Sequence, residues 1–191
     1  GMTRQEALAY DNVLKDKLKL AAEMLGMEGK TGTDIVERYI MIIPDDDRKG
    51  MIFLGEKSAS YKWGNIRLDF KKAIAAGLEL VASLNLPESF LNYIQLLIVT
   101  AFFIQKSIMM EIGKTEAYIV YFLHMRNGYE TGIEEKFFLE DFQKWYKERM
   151  DTLLEEKEIE EAVQHLYDGK VLDIIDEKIY LKEKVIGHME S

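Results

Sequence analysis

Two "GKT" triplets, one run of aspartates and three histidines are the places where this sequence could do chemistry. A phosphate-binding loop needs G-x-x-x-x-G-K-[ST] between a strand and a helix. Successive backbone N–H groups then cradle the phosphate, and the lysine reaches its outer oxygens. At Gly29-Lys30-Thr31 the nearest earlier glycine is Gly26, too close for that spacing, and at Gly113-Lys114-Thr115 the required position is Ile108. Both triplets read as helix-boundary glycines. Asp45, Asp46 and Asp47 in "PDDDRKG" lack the alternating ligands and closing glutamate of a calcium loop, so they read as a solvated turn neutralised by Arg48 and Lys49. His124, His165 and His188 have no zincin spacing, and none lies near a serine in a G-x-S-x-G context. His165 and Glu161 form an i, i+4 pair, which reads as a surface contact. Tyr61, Trp63 and Phe70, with Lys62 and Arg67 opposite, could imitate a base-stacking platform. The basic density is too low, and the aromatic face of an alternating hairpin normally packs on helices. No catalytic residue, cofactor site or metal site is assigned.

The elements that would position such groups follow from composition and periodicity. The 191 residues suffice for one large or two small domains. They are 48% hydrophobic and 31% charged with only 2 prolines, which is the profile of a folded globular chain. The absence of Cys excludes disulfides, thiolate zinc sites and a cysteine nucleophile. Gly1 before Met2 reads as a tag remnant, and the following segment is too charged for a signal peptide, so a cytoplasmic location is expected.

Thr3 and Glu6 form a candidate capping box for a helix running to Leu25 and stopped by Gly26. "GMEGKTGT" reads as a glycine-rich loop, although Thr33 or Asp34 could cap a short helix over "TDIVERY". "RYIMII", "MIFLG", "SASYKW" and "IRLDF" predict an antiparallel meander of three or four strands. Its last hairpin turns at Gly64-Asn65 with the positive φ of a type II′ turn. A helix over "FKKAIAAGLELVASL" and a second from Pro87 to a stop at Gly113 complete this half. Ser89 to Gln105 carries no charge, but Asn92, Gln95, Thr100 and Gln105 interrupt it. A central core helix is therefore expected rather than a membrane span.

From Lys114 onward the pattern changes. "KTEAYIVYFLHMR" predicts a helix, "NGYETG" a connector, and "EEKFFLEDFQKWYKERM" a helix with an aromatic stripe of Phe138, Phe142, Trp145 and Tyr146. "EKEIEEAVQHLYDG" predicts a third helix burying Ile159, Ala162, Val163 and Leu166 at i, i+3, i+4, i+7 spacing, with Gly169 as its stop. "KVLDII", a tip at Asp176-Glu177 and the returning "KIYLKEKV" predict a hairpin. Over residues 114–187 this order resembles the winged helix-turn-helix superfamily, by its pattern of elements rather than by a residue signature. Together the elements predict an α+β chain in two domains: residues 2–113, a helix with a small β-meander and apolar core helices of unrecognised type, and residues 114–191, which the resemblance makes winged-helix-like.

The resemblance also implies DNA binding, and the charge opposes it. The net charge is −9; residues 114–191 hold 11 basic and 19 acidic side chains, against 14 and 15 in residues 1–113. Phosphate contacts draw their affinity from Lys and Arg, and base edges are read mostly by donors. Here the third helix turns Glu158, Glu160, Glu161, Gln164, His165 and Asp168 outward. The expectation is therefore a non-enzymatic regulatory or adaptor protein. Its contact with a protein partner, or with its own copy, would use Glu158, Glu161, Gln164 and His165. A transcriptional regulator using Lys170, Lys178, Lys182 and Lys184 is the alternative. A small-molecule sensor or enzyme with an N-terminal pocket is the third.

Overall fold

The computed structural model describes residues 2–45, 64–84, 87–107 and 111–188. Its first helix, α1 (Arg4–Met24), starts at the expected capping box. Glu6 N–H donates to Thr3 Oγ1 at 3.2 Å, and Thr3 N–H donates to Glu6 Oε2 at 2.7 Å. The bond from Thr3 N–H, and then the Thr3 hydroxyl, favour the charged carboxylate, so Glu6 titrates below its ordinary value. Ala7, Leu14, Leu18 and Ala22 turn inward. The helix ends in a Schellman motif: Gly26 has φ +75°, Gly26 N–H donates to Glu23 O, and Met27 N–H donates to Ala22 O. The expected glycine-rich loop is a correction, because α2 (Gly29–Tyr39) is helical from Gly29 onward. Ile35 and Val36 bury one face, and Gly32 lets the helix cross α1 closely; a Cβ there would lie 2.2 Å from Leu18 O. The expected strand over "RYIMII" shrinks to β1 (Ile40–Ile42).

β1 does not begin a meander. It pairs antiparallel with β2 (Ile66–Asp69), and the other edge of β2 pairs with a strand from the far end of the chain, β6 (Lys184–Gly187). Ile66, Leu68 and Val185 point into the core. Gly64 does not take the positive φ expected of a type II′ turn; it serves close approach, since a Cβ would meet Ile186 Cγ2 at 2.0 Å and Gly187 O at 2.4 Å. Asn65 is buried, and its Nδ2 donates to Ile43 O and to Asp45 Oδ1, both at 3.0 Å. Asp45 also accepts from Met2 N–H at 2.7 Å, so this aspartate ties the chain start to the sheet. The strands expected at "MIFLG" and "SASYKW", with Tyr61 and Trp63, lie outside the described residues.

Helices α3 (Phe70–Leu84) and α4 (Pro87–Ile104) follow. α4 is the central core helix expected, burying Ile94, Leu97, Ile98, Ala101 and Phe102 among others. It stops well before Gly113, because Lys106 adopts φ +59° and closes another Schellman motif: Lys106 N–H donates to Phe103 O and Ser107 N–H to Phe102 O. No helix among the described residues is long and apolar enough to cross a membrane.

The rest of the chain gives α5 (Lys114–Met125), β3 (Ile133–Glu134), α6 (Glu135–Met150), α7 (Glu156–Asp168), β4 (Leu172–Ile175) and β5 (Lys178–Leu181). Residue 133, between the predicted connector and helix, opens a two-residue strand that pairs with β5, so the second sheet runs β3-β5-β4, all antiparallel. The aromatic stripe of α6 packs on α5. Phe142 lies 5.3 Å edge-on from Phe122 and stacks near-parallel with Phe138 at 5.7 Å. The run "KIYLKEKV" is not one returning strand. It breaks after Leu181 and crosses to the first sheet as β6, so residues 184–187, expected in a separate C-terminal domain, complete the N-terminal sheet. Buried apolar residues from Met2 to Val185 form a single cluster. Helices and two small antiparallel sheets around that cluster make the architecture α+β.

Candidate functional site

α7 carries the predicted site, and its position explains which side chains can meet a partner. Its first turn holds Glu156 and Glu158, where carboxylates complement the helix dipole. Ile159, Ala162 and Leu166 are buried, and Val163 is half-buried. Glu158 and His165, two turns apart, lie on the flank that faces α5. Thr115 Oγ1 donates to Glu158 Oε1 at 3.0 Å, and His165 Nδ1 lies 3.0 Å from Glu116 Oε1. The His165 and Glu116 side chains are only 15% and 13% exposed, and the imidazole also sits edge-on to Phe102 at 5.0 Å.

The predicted four-residue face is therefore divided. Glu161 and Gln164 face outward, while Glu158 and His165 help join α7 to α5. His165 is not on an open surface, and its carboxylate partner is Glu116 rather than Glu161, which pairs instead with Lys157 at 3.8 Å. The spacing held a signal for this: Glu158 and His165 flank Ala162 at i, i+4 and i+7, on the edge of the buried stripe. The outward face proper is Glu160, Glu161, Gln164 and Asp168 with Lys157, all exposed; Gln164 donates to Asp168 at 2.8 Å.

Beside this face the structure opens a groove that periodicity could not show. About 450 Å³ in volume, it runs between α6, α7 and the β4–β5 hairpin. Phe138, Leu139, Ile159, Val163, Ile174 and Ile179 line it, and Glu135, Lys136, Glu160 and Gln164 form its polar rim. At the hairpin tip, Glu134, Glu135, Asp176 and Glu177 surround Lys136 and Lys178.

The four lysines named as an alternative contact surface are not gathered. Lys170 follows α7. Lys178 lies across from Glu134 in the β3–β5 ladder. Lys182 pairs with Asp173 at 3.4 Å, and Lys184 lies across from Asp69 in the other sheet. Three of the four thus sit beside a carboxylate, with Lys178 and Lys184 on different sheets and Lys182 between them.

Two further clusters contain titratable groups. Tyr129 Oη lies 2.5 Å from His124 Nδ1, Lys71 Nζ sits 4.7 Å above the Tyr129 ring, and Lys71 pairs with Glu183 at 3.1 Å. Burial pushes the Tyr129 phenol well above its ordinary value, so it keeps its proton while it shares a hydrogen bond with the imidazole. Burial, and then the nearby Lys71 charge, lower His124. These contacts clamp the crossover between the sheets. The N-terminal half has a shallow pocket of about 320 Å³ bordered by Asp34, Arg38, Tyr39, Glu79 and Tyr93. Its most buried phenol, Tyr93, already donates to Ala73 O at 3.0 Å. Among the described residues no group of acidic or histidine side chains is arranged to hold a metal ion, and no buried side-chain nitrogen or oxygen lacks a hydrogen-bond partner. Compared with protein-family models, with curated proteins and with solved structures, the chain matches none.

Proposed function

We propose that residues 114–181 form a winged-helix module that contacts protein rather than DNA, and that the chain is a non-enzymatic regulatory or adaptor protein. The module reading is supported by the order helix, short strand, two helices and hairpin, with the short strand paired to the second hairpin strand. The observation that carries the choice of partner is the outward face of α7. Glu160, Glu161 and Asp168 are exposed there with a single lysine, and the hairpin tip beside it adds four more carboxylates.

Polyphosphate pressed against that surface would meet like charge without counterion release to offset it. A protein segment with apolar side chains for the groove and basic ones for its rim meets complementary chemistry on both counts. The test uses the absence of cysteine. A photo-crosslinker attached at Gln164→Cys should form protein adducts in lysate that disappear in a Glu160→Lys/Glu161→Lys background. Fluorescence anisotropy with duplex DNA at low salt should show no saturable binding. Saturable duplex binding, with adducts to Gln164→Cys unaffected by the charge reversals, would overturn the proposal.

A further inference from the structure

Away from that module, the cleft of about 320 Å³ between α2 and α3 has an apolar floor and a charged rim. Ile35 of α2, Gly77 of α3 and Tyr93 of α4 are buried at its bottom, and Ala76 is half-buried beside them. A Cβ at Gly77 would meet the Tyr93 ring at 2.3 Å, so the ring lies directly on the α3 backbone. The Tyr93 hydroxyl is committed to Ala73 O at 3.0 Å, and what Tyr93 offers the cleft is therefore its ring. Burial first, and then Tyr39, raise that phenol, while Arg38 pulls the other way; the guanidinium thus reaches toward the floor.

Arg38 on α2 and Glu79 on α3 border the cleft from its two walls, and both are exposed. Their charges are opposite, yet neither forms an ion pair among the described residues. Asp34, one turn before Arg38, borders the same cleft and is also without an ion-pair partner there. Three charges thus surround an apolar floor without neutralising one another. A molecule that bridged them would need an anionic group for Arg38, a cationic group for the two carboxylates and an apolar part for the floor. The guanidinium fork matches a carboxylate, and an ammonium carries three donors for Asp34 and Glu79. Two carboxylates against one guanidinium turn phosphates away. The volume lies at the lower end of small-molecule sites, roughly 300–1,000 Å³, which selects a compact ligand. Carboxylate, ammonium and a short apolar side chain on one carbon make an α-amino acid.

We propose that the α2–α3 cleft binds a free α-amino acid with an apolar side chain. Its carboxylate sits on Arg38, its ammonium between Asp34 and Glu79, and its side chain on Ile35, Ala76 and the Tyr93 ring. This stands apart from the reading of residues 114–181 and gives the chain a small-molecule input. Exposed charge pairs contribute little each, so binding is weak, with Kd on the order of millimolar.

A heteronuclear NMR titration of the full chain with leucine tests this. The amides of Arg38, Gly77 and Glu79 should shift saturably. Leucinamide, which lacks the carboxylate, and isocaproate, which lacks the ammonium, should each bind severalfold more weakly. Glycine, without a side chain for the floor, should also bind more weakly. Arg38→Gln should bind leucine and leucinamide alike, with an unchanged unfolding temperature; lost folding cannot imitate that selective effect. Glu79→Gln should likewise erase the difference between leucine and isocaproate. The proposal is overturned if leucine, valine, methionine and phenylalanine all give no saturable shifts at this cleft. It is equally overturned if leucinamide binds wild type as tightly as leucine does, or if Arg38→Gln keeps the wild-type preference.

Discussion

Gly169 offers the sharpest check on how α7 is seated. The residue ends α7 with φ −78° and ψ 4°, a conformation open to any L-residue, so its lack of a side chain is not a backbone requirement. The left-handed position of this helix end is Lys170, at φ +59°. What Gly169 provides is space. A Cβ would lie 1.5 Å from Phe102 Cε1, 2.1 Å from Cδ1 and 2.4 Å from Cζ. Phe102 is 1% exposed in the middle of the α4 core, and His165 rests against its edge. The ring cannot retreat without disturbing both. Gly169→Ala should therefore incur the upper part of the overpacking range, about 3 kcal/mol. Up to about 1 kcal/mol is recovered because alanine restricts the unfolded chain. A net loss of about 2 kcal/mol corresponds to a fall in Tm of roughly 4–8 °C for a chain of this size. Urea unfolding at one fixed protein concentration measures it, with Phe102→Leu and the double variant completing a cycle. Removing part of the ring should relieve the clash, so the double variant should be more stable than the two single losses summed. A Gly169→Ala protein within about 0.5 kcal/mol of wild type, or strictly additive losses, would refute the close seating of α7 on α4.

Other consequences are as specific. Lys106 and Lys170 occupy the left-handed positions of two Schellman ends, so Lys106→Gly and Lys170→Gly should each raise stability by up to about 1 kcal/mol by removing Cβ strain. Equilibrium denaturation should show both gains. The β4–β5 turn places Asp176 at φ 50° and Glu177 at φ 61°, the signs of a type I′ turn, for which Asn-Gly is favoured. Asp176→Asn with Glu177→Gly should slow local opening of the hairpin, measured by hydrogen exchange at Asp173 and Ile175, whose amides face β5. The depressed pKa of His124 means that below its ordinary value of 6.5 the unfolded chain binds more protons than the folded one. The contribution of His124 to stability is therefore complete above pH 6.5 and is lost as pH falls through its folded value. His124→Gln should flatten the stability profile below pH 6.5. An unchanged slope would show that the imidazole is not desolvated against Tyr129 and Lys71.

The sequence was most legible where local chemistry decides the outcome. The Thr3–Glu6 box, the buried stripe of α7 and the aromatic stripe of α6 follow from spacing alone. Glycine misled where it has two uses. At Gly29 and Gly32 it suggested a loop, but Gly32 permits a close helix crossing; at Gly64 it suggested a turn, but it admits β6. Conversely, α4 ends at Lys106 and α7 at Lys170 through lysines in the left-handed conformation, which no propensity rule marks. The partition of the sheets was hidden for a different reason. Val185 alternates as well with Leu181 in one strand as it does opposite Leu68 in another, and only long-range packing separates the two. The candidate site was half legible. Acidity was visible, whereas the turning of Glu158 and His165 toward α5 and the groove beside α7 depend on three elements meeting.

The division of α7 between polar residues bonded to α5 and polar residues that face away from it narrows what its acidity can mean. Carboxylates needed for the helix packing are already engaged: Glu158 accepts from Thr115, and Glu116 reaches His165. The remaining ones, Glu160, Glu161 and Asp168, have no comparable partner across the α5 junction; Glu161 has the exposed Lys157, and Asp168 has Gln164 from its own helix. Exposed pairs of that kind contribute at most about 1 kcal/mol, so these residues can exchange their present partners for others at little cost. At physiological ionic strength their field fades over about 8 Å, which confines its influence to whatever lies directly on α7 and in the adjacent groove. An incoming segment is thus selected by two short-range requirements at once: basic groups at the rim, and apolar side chains of a size to fill about 450 Å³. Nucleic acid fails the first of these at every phosphate, and a basic peptide without apolar residues fails the second. Substituting Val163→Asp at the half-buried edge of the groove should therefore abolish capture by the Gln164→Cys crosslinker as fully as reversing Glu160 and Glu161. Retained capture in the Val163→Asp protein, with its unfolding transition intact, would leave charge alone as the basis of recognition.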